Sequence, residues 1–400
     1  MPTVTFGQAR ATVIARVMAG RLFSPPEVVA LECAAGRVLA EEIRADRDFP
    51  PLARSVRDGF AVRAQDVPGS LRVIGEVRAG DRFNGTVGIG QAVEIMTGAP
   101  VPRGADAVVM VEHTTRPNGG SVSIDRAATP GQFINAAGCE AHAGEPLLSP
   151  GKRLDFADVA LLAAVGKAQV AVCVKPRVAL LATGDEIVPV SEKPGAHQIR
   201  NSNAYSLAAQ VVRAGGVPVI LPVARDDHED TLSLVDRGLA ADLLLISGGV
   251  SAGKYDIVER VLSGVGAEFF FDRVLIQPGQ PLVFGRAREK FFFGLPGNPA
   301  STMVTFELFA RAALELLGGQ SSSTLPFLLA RLTRDFRHKT GLTRFLPASL
   351  AWEGTEPQLT PLGWSGSGDV PAVTRANAFL VADADRTEWK AGELMPVLLK

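Results

Sequence analysis

Cysteine is scarce in this sequence. Cys33, Cys139 and Cys173 are the only three in 400 residues, and no two form a CxxC pair. That argues against a disulfide-stapled secreted scaffold and suits a reducing cytoplasm. Histidine is equally thin: His113, His142, His197, His228 and His338 show no metal-ligand spacing, so a zinc site built by the protein is not expected. Neither charge dominates, with 41 Lys+Arg against 42 Asp+Glu. A duplex-binding protein carries a basic surplus, so no nucleic-acid partner is expected. No apolar run reaches the ~20 residues that span a bilayer. Residues 1–20, broken by Arg10 and Arg16, lack the apolar stretch of a signal peptide. No membrane partner and a cytoplasmic location follow as expectations. Repeats and low-complexity tracts are missing too.

What remains is an ordinary globular composition, in a chain long enough to need two to four domains. Residues 25–43 read as helix, opened by Pro25 and Pro26, with Val28, Val29, Leu31 and Leu39 near helical period. From Asp46 to about Glu140 the chain is rich in Gly, Pro and β-branched residues and reads as mostly strand. A capped helix start follows at Asp155. The β segment is therefore read as inserted between two parts of one helical domain. From Val172 strands alternate with helices, which predicts a mostly parallel, doubly wound sheet covered on both faces. The Gly- and Ser-rich stretch 318–324 marks a boundary, and strand patterns with turns close the chain. The expected organisation is a helical linker domain (1–46 and 141–171), an inserted β-rich domain (47–140), an α/β domain (172–319) and a small C-terminal β domain (320–400).

Open parallel sheets bind ligands at the carboxyl ends of their strands, and four informative loops fall there. In Leu295-Pro296-Gly297-Asn298-Pro299, Asn298 can cap the next helix, Pro299 suits its first turn and Gly297 allows close backbone approach. The expected result is a set of free N–H groups facing an anion. Ser247-Gly248-Gly249-Val250-Ser251 is a second run able to cradle phosphate. Acids crowd the same strand ends: Asp185, Glu186, Asp226, Asp227 and Asp256. Two unit charges ~4 Å apart repel by about 4 kcal/mol at an effective dielectric near 20. A cluster of three or more beside an anionic ligand calls for a bridging Mg²⁺. Asp185 and Asp227 read better as caps or loop acids, and Glu186, Asp226 and Asp256 as functional.

Several motifs taken in order resemble one family. They are Gly36-Arg37-Val38-Leu39-Ala40-Glu41, Ser55-Val56-Arg57-Asp58-Gly59-Phe60-Ala61-Val62, Ile95-Met96-Thr97-Gly98-Ala99-Pro100 with Gly104-Ala105-Asp106, Thr183-Gly184-Asp185-Glu186, Ser247-Gly248-Gly249-Val250-Ser251 with Tyr255-Asp256, and Leu295-Pro296-Gly297-Asn298-Pro299. Spread over about residues 25–380, this text resembles the molybdopterin molybdenumtransferases (bacterial MoeA proteins and the gephyrin E domain). The resemblance implies a molybdopterin-binding type of α/β domain and a C-terminal β-barrel-like domain. It also implies an elongated homodimer whose cleft is shared between the α/β domain of one protomer and the inserted β domain of the other. The reaction implied is Mg²⁺-dependent insertion of molybdate into adenylated molybdopterin, releasing AMP. A molybdopterin adenylyltransferase and recipient molybdoenzymes are the partners it suggests. Carried over by position, Asp58, Thr97, Glu186, Asp226 and Asp256 are catalytic, the last three also metal-holding. Ser247, Gly248, Gly249, Val250, Pro296, Gly297, Asn298 and Pro299 shape the ligand floor, and Arg273 is a cation candidate.

The chain also departs from the family pattern. Arg57 and Phe60 flank Asp58 where Met and Tyr are usual, and Glu140 stands where an aspartate is expected. Gln277 and Gln280 occupy positions often held by lysine, and Pro371 follows Asp369 without the usual hydroxyl residue. These departures leave a weakened paralogue or a non-catalytic molybdopterin-binding scaffold as the alternative. An adenylyltransferase is a further one, although it does not require the inserted β domain.

Overall fold

A computed structural model describes residues 3–22, 24–117, 120–249 and 257–400. Its centre is a seven-stranded sheet in the order Thr3–Val4, Glu268–Val274, Pro281–Ala287, Lys290–Leu295, Leu243–Ser247, Arg177–Ala182, Val217–Ile220. Only the pairings made by Pro281–Ala287 are antiparallel. The three strands Arg177–Ala182, Leu243–Ser247 and Lys290–Leu295 are near-continuous apolar runs, because helices cover both of their faces. Leu180, Leu245 and Phe293 pack on one side with Ser202–Arg213 and the helical run 299–317. Leu181, Leu244 and Phe292 pack on the other with His228–Gly238 and Ile257–Gly264.

Two expectations about the linker are corrected. The segment 25–43 is not helical. Glu27–Ala30 is a strand paired antiparallel with Gln169–Val172, and a short 3₁₀ turn, Leu31–Cys33, follows it. Val28 and Val29 favour a pleated strand once a partner is present, and that partner lies about 140 residues away, beyond the reach of local periodicity. The N-terminal helix, Phe6–Gly20, does not belong to the linker either. Its buried stripe Ala9, Val13 and Val17 enters the α/β core, and Thr3–Val4 adds an edge strand to the same sheet. The linker is thus a set of short strands plus one helix, Phe156–Ala164. That helix starts as expected: Asp155 accepts from the Ala157 and Asp158 N–H groups, and Asp158 accepts from that of Asp155.

The β-rich segment folds as a six-stranded curled sheet in the order Ala107–Met110, Gly59–Val62, Gln91–Ile95, Gly69–Val77, Ser121–Ile124, Thr114–Thr115. Its alternation sends Phe60 and Val62 to one small core and Ala61 to another, so both faces are covered. In the C-terminal part five strands close on themselves, because Thr343–Glu353 pairs with both Glu356–Pro361 and Ala378–Ala382. The short strand Ile276–Gln277 ties this barrel to the α/β unit. Among the described residues no helix is long and apolar enough to cross a membrane.

Gly59 is the tightest point of the β unit, since a Cβ there would stand 1.9 Å from the Val109 carbonyl oxygen. Gly59→Ala is expected to cost roughly 1–3 kcal/mol or more, read as a lower urea midpoint. An unchanged midpoint would show that the strands are not held so close.

Candidate functional site

The three central strands end level, with Ala182 paired to Ser247 and Ser247 to Leu295. The loops leaving them enclose a cleft of about 680 Å³. Of the residues expected at a site, it gathers Glu186, Asp226, Ser247, Gly248, Gly249, Pro296, Gly297, Asn298 and Pro299. Gly248 and Gly249 have positive φ, and a Cβ on either would approach Thr183 to 2.7–2.8 Å. Glycine is therefore required for this loop to pass over Thr183. The Glu186 carboxylate folds over Gly184, where a Cβ would stand 2.5 Å from its Oε2. Asp226 donates its N–H to the Asp185 carboxylate at 3.2 Å, and Asp227 caps His228–Gly238 through the Glu229 and Asp230 N–H groups. Asp185 and Asp227 are thus loop acids, while Glu186 and Asp226 remain exposed on the cleft wall.

Two cleft residues were not singled out by the sequence. Thr183 Oγ1 and Asn203 Oδ1 are buried and have no hydrogen-bond partner among the described residues. Asn203 is fixed by its amide, which donates to the Gly297 carbonyl at 2.7 Å and leaves the oxygen as a free acceptor. Its neighbour Asn201 caps the helix through the Ala204 N–H, so the start of Ser202–Arg213 also reaches the cleft. Nothing local in the sequence singles out Asn203, and only the contact with Gly297, 94 residues away, reveals its role. Orphan polar atoms in a cleft of this size point to a bound polar ligand.

The anion cradle expected at Pro299 is thinner than the sequence suggests. Asn298 occupies the cap position, yet its side chain makes no capping bond. The Ala300 N–H is taken by the Ser367 carbonyl of the C-terminal part at 2.9 Å, and the Thr302 N–H by the Asn298 carbonyl. Thr302 Oγ1 closes the turn by donating to the Pro296 and Asn298 carbonyls. Arg273 is exposed on Glu268–Val274 and does not line the cleft. Val250, Lys254, Tyr255 and Asp256 lie outside the described residues. Among those described, no three carboxylate, histidine or cysteine side chains gather as a metal cage. The donor set nevertheless fits Mg²⁺. This ion takes one or two carboxylates and fills its shell with water and phosphate oxygens, and Glu186 and Asp226 supply hard oxygens at the cleft.

Within one chain, Asp58 and Thr97 stand apart from this cleft. Thr97 lines a separate groove of about 510 Å³ with Arg47, Arg54, Asn135 and Glu140. Asp58 Oδ1 accepts from the Thr97 N–H at 2.6 Å and from its Oγ1 at 2.8 Å. Those bonds, the backbone one first, hold the Asp58 carboxyl below its ordinary range.

Comparison with known proteins then decides the family. Residues 4–166 match the MoeA N-terminal region (domains I and II), 179–316 a probable molybdopterin binding domain, and 329–400 the MoeA C-terminal region (domain IV). The chain belongs to the MoeA family of molybdopterin molybdenumtransferase enzymes. A Bacillus subtilis molybdopterin molybdenumtransferase is 36% identical over 384 residues, covering 93% of this chain and 89% of the relative. One from a Nostoc species is 37% identical over 385 residues, covering 93% and 88%. A crystal structure of a molybdopterin biosynthesis MoeA protein from Pyrococcus horikoshii superimposes with a TM-score of 0.81 at 29% identity, over 100% of both chains. Another crystal structure of a molybdopterin biosynthesis MoeA protein from the same organism gives 0.75 at 33% identity, over 100% of this chain and 99% of the other. The MoeA fold therefore extends over the full length of the chain, barrel included.

The low titration of Asp58 yields a test. A folded-state value below the unfolded one stabilises the fold above the usual carboxylate range, and that contribution is lost as pH falls through it. Thr97→Val removes the hydroxyl donor and keeps the N–H. Asp58 is then expected to titrate higher than in the native chain, yet still below an ordinary aspartate, in a carboxyl-carbon NMR titration. No shift would show that the hydroxyl plays no part.

Proposed function

We propose that this chain inserts molybdate into adenylated molybdopterin, releasing AMP and leaving molybdenum cofactor. One observation carries the reading: Thr183, Glu186, Asn203, Asp226 and the glycine turn at 248–249 converge on one cleft, where two buried polar atoms lack partners among the described residues. The fixed acceptor Asn203 Oδ1 suits a ligand N–H, as the rim of a pterin offers. The Thr183 hydroxyl can donate or accept beside it. The tight turn at Gly248 and Gly249, which glycine alone can trace over Thr183, would suit a phosphate. Glu186 and Asp226, with Asp256, would hold Mg²⁺. Bound there, the ion would neutralise the charge of the substrate's phosphates. The chain's own acids would hold and orient it.

The partner arrangement belongs to the same proposal. Asp58 and Thr97 would complete the cleft of the other protomer in a homodimer, which accounts for their distance from the α/β loops of their own chain. The three cysteines are unbridged, as a cytoplasmic enzyme requires. A molybdopterin adenylyltransferase would supply the substrate, and molybdoenzymes would receive the product.

The deciding experiment follows AMP from adenylated molybdopterin and Mg²⁺, with and without molybdate. Molybdate-dependent AMP release is the expected result. Glu186→Gln and Asp226→Asn should each slow it by about a hundredfold or more, the scale of losing a charge that stabilises a transition state. Binding without AMP release would instead favour the scaffold reading, and ATP-dependent adenylation of molybdopterin the adenylyltransferase.

A further inference from the structure

The three central strands have a second set of ends. Pro176, Asp242 and Lys290, at their amino ends, line a cavity of about 390 Å³ at the end of the sheet opposite the cleft. The linker closes it from the other side through Leu39, Ala40, Pro150 and Gly151. We propose that this junction is a binding site for a small amphipathic monoanion, an alkyl or aryl group carrying one carboxylate or sulfonate. Its volume lies within the roughly 300–1,000 Å³ of small-molecule sites, which favour domain junctions.

The walls are tied together by hydrogen bonds. Arg21 follows the helix Phe6–Gly20 and donates to the Leu316 and Gln320 carbonyls at 3.1 and 3.0 Å, joining the ends of two helices. The Ser321 N–H donates to the Gly151 carbonyl at 3.1 Å, which fastens the stretch 318–324 to the linker. Arg37 donates to the Cys173 carbonyl at 2.9 Å. At Gly319 a Cβ would stand 2.4 Å from Cys173 Sγ, so the back wall is closely packed. The space between these walls is therefore built into the fold.

The lining sets the polarity of the ligand. Leu22, Leu39, Val174 and Phe291 supply apolar surface, and Leu22 is 79% exposed. The lining acids are already matched: Asp242 meets Lys290 at 3.3 Å and accepts from the Arg177 N–H, and Glu289 pairs with Arg286. Arg21 is committed to helix-end carbonyls, which carry the negative end of a dipole. Of the lining cations, Lys175 makes no hydrogen bond and no ion pair among the described residues. Residue 23, outside the described residues, is phenylalanine and adds no charge. A bare oxyanion would leave the apolar wall uncovered, and a neutral or cationic amphiphile would leave Lys175 without a counter-charge.

Titration of the full chain with the fluorescent probe anilinonaphthalene sulfonate tests the site. Saturable binding is expected, displaced best by octanoate, less by octanol and least by octylamine. Octanoate should also raise the melting temperature, because it binds the folded chain. Lys175→Glu should weaken octanoate roughly tenfold or more, the scale of losing one charged hydrogen bond, while octanol competes as before. Lys175→Arg should keep the affinity, and Val174→Trp should abolish binding by filling the cavity. No saturable binding to the native chain, or equal displacement by all three amphiphiles, would overturn the proposal. So would probe binding unchanged in Lys175→Glu and Val174→Trp at an unchanged melting temperature. Should Val174→Trp fail to fold, Leu22→Asp takes its place, and octanoate affinity unchanged in that variant would overturn the proposal equally.

Discussion

Ala182, Ser247 and Leu295 are register partners on the last rung of three buried parallel strands, and everything at the cleft hangs from that rung. Because every residue of Leu243–Ser247 is buried, a slip of one position would move the loops by about 3.3 Å and turn each core side chain to the wrong face. The two halves of the core therefore fix the site as firmly as any contact within it. Thr183 shows the coupling. Its N–H donates to the Ser247 carbonyl at 3.1 Å, while its side chain sits under the glycine turn that Ser247 begins. Strand pairing thus places an orphan hydroxyl beside a backbone that only glycine can trace.

The same dependence reaches outward through polar bonds. Arg10, on the N-terminal helix, donates to the Leu308 carbonyl at 2.6 Å and to the Ser323 carbonyl at 3.0 Å. Leu308 lies in a π turn, Phe306–Ala310, midway along the run that starts at Pro299. Burial pushes the Arg10 guanidinium down to about 10, so it remains charged at neutral pH. Close by, the buried Glu307 is held by Arg213 and Gln210 at 2.6 and 2.7 Å. A buried carboxylate left without such partners would be costly. The helix carrying the Pro296–Pro299 loop is therefore braced by the N-terminal helix and by Ser202–Arg213.

Much of this was legible in the sequence, for identifiable reasons. Strands buried on both faces are unbroken apolar runs, so the central sheet and its loops could be read directly, and Asp155 and Asn201 cap the helices that follow them. What escaped depends on contacts between distant segments. The strand Glu27–Ala30 needs Gln169–Val172, and the stripe Ala9, Val13, Val17 shows that the first helix buries a face without naming the surface that covers it. Asn298 has the right chemistry for a cap, but the Ser367 carbonyl from another domain already satisfies a nearby N–H. Asn203 owes its fixed acceptor to Gly297, whose carbonyl holds its amide from 94 residues away. Arg273 has the right charge for a phosphate ligand and faces solvent instead.

Charge is divided between two sites that share no lining residue. The cleft of the α/β unit carries carboxylates and acceptors, which suit a cation and ligand N–H groups. The groove of the β unit carries guanidiniums, which suit an anion. Placing both sets in one pocket of one chain would let the arginines pair with Glu186 and Asp226, and each would neutralise the other before a ligand arrived. Separating them by domain keeps the two sets from neutralising each other. Backbone pairing at Arg54 and at Ser247 fixes where each set starts, so neither site has to change shape to stay open to its own ligand.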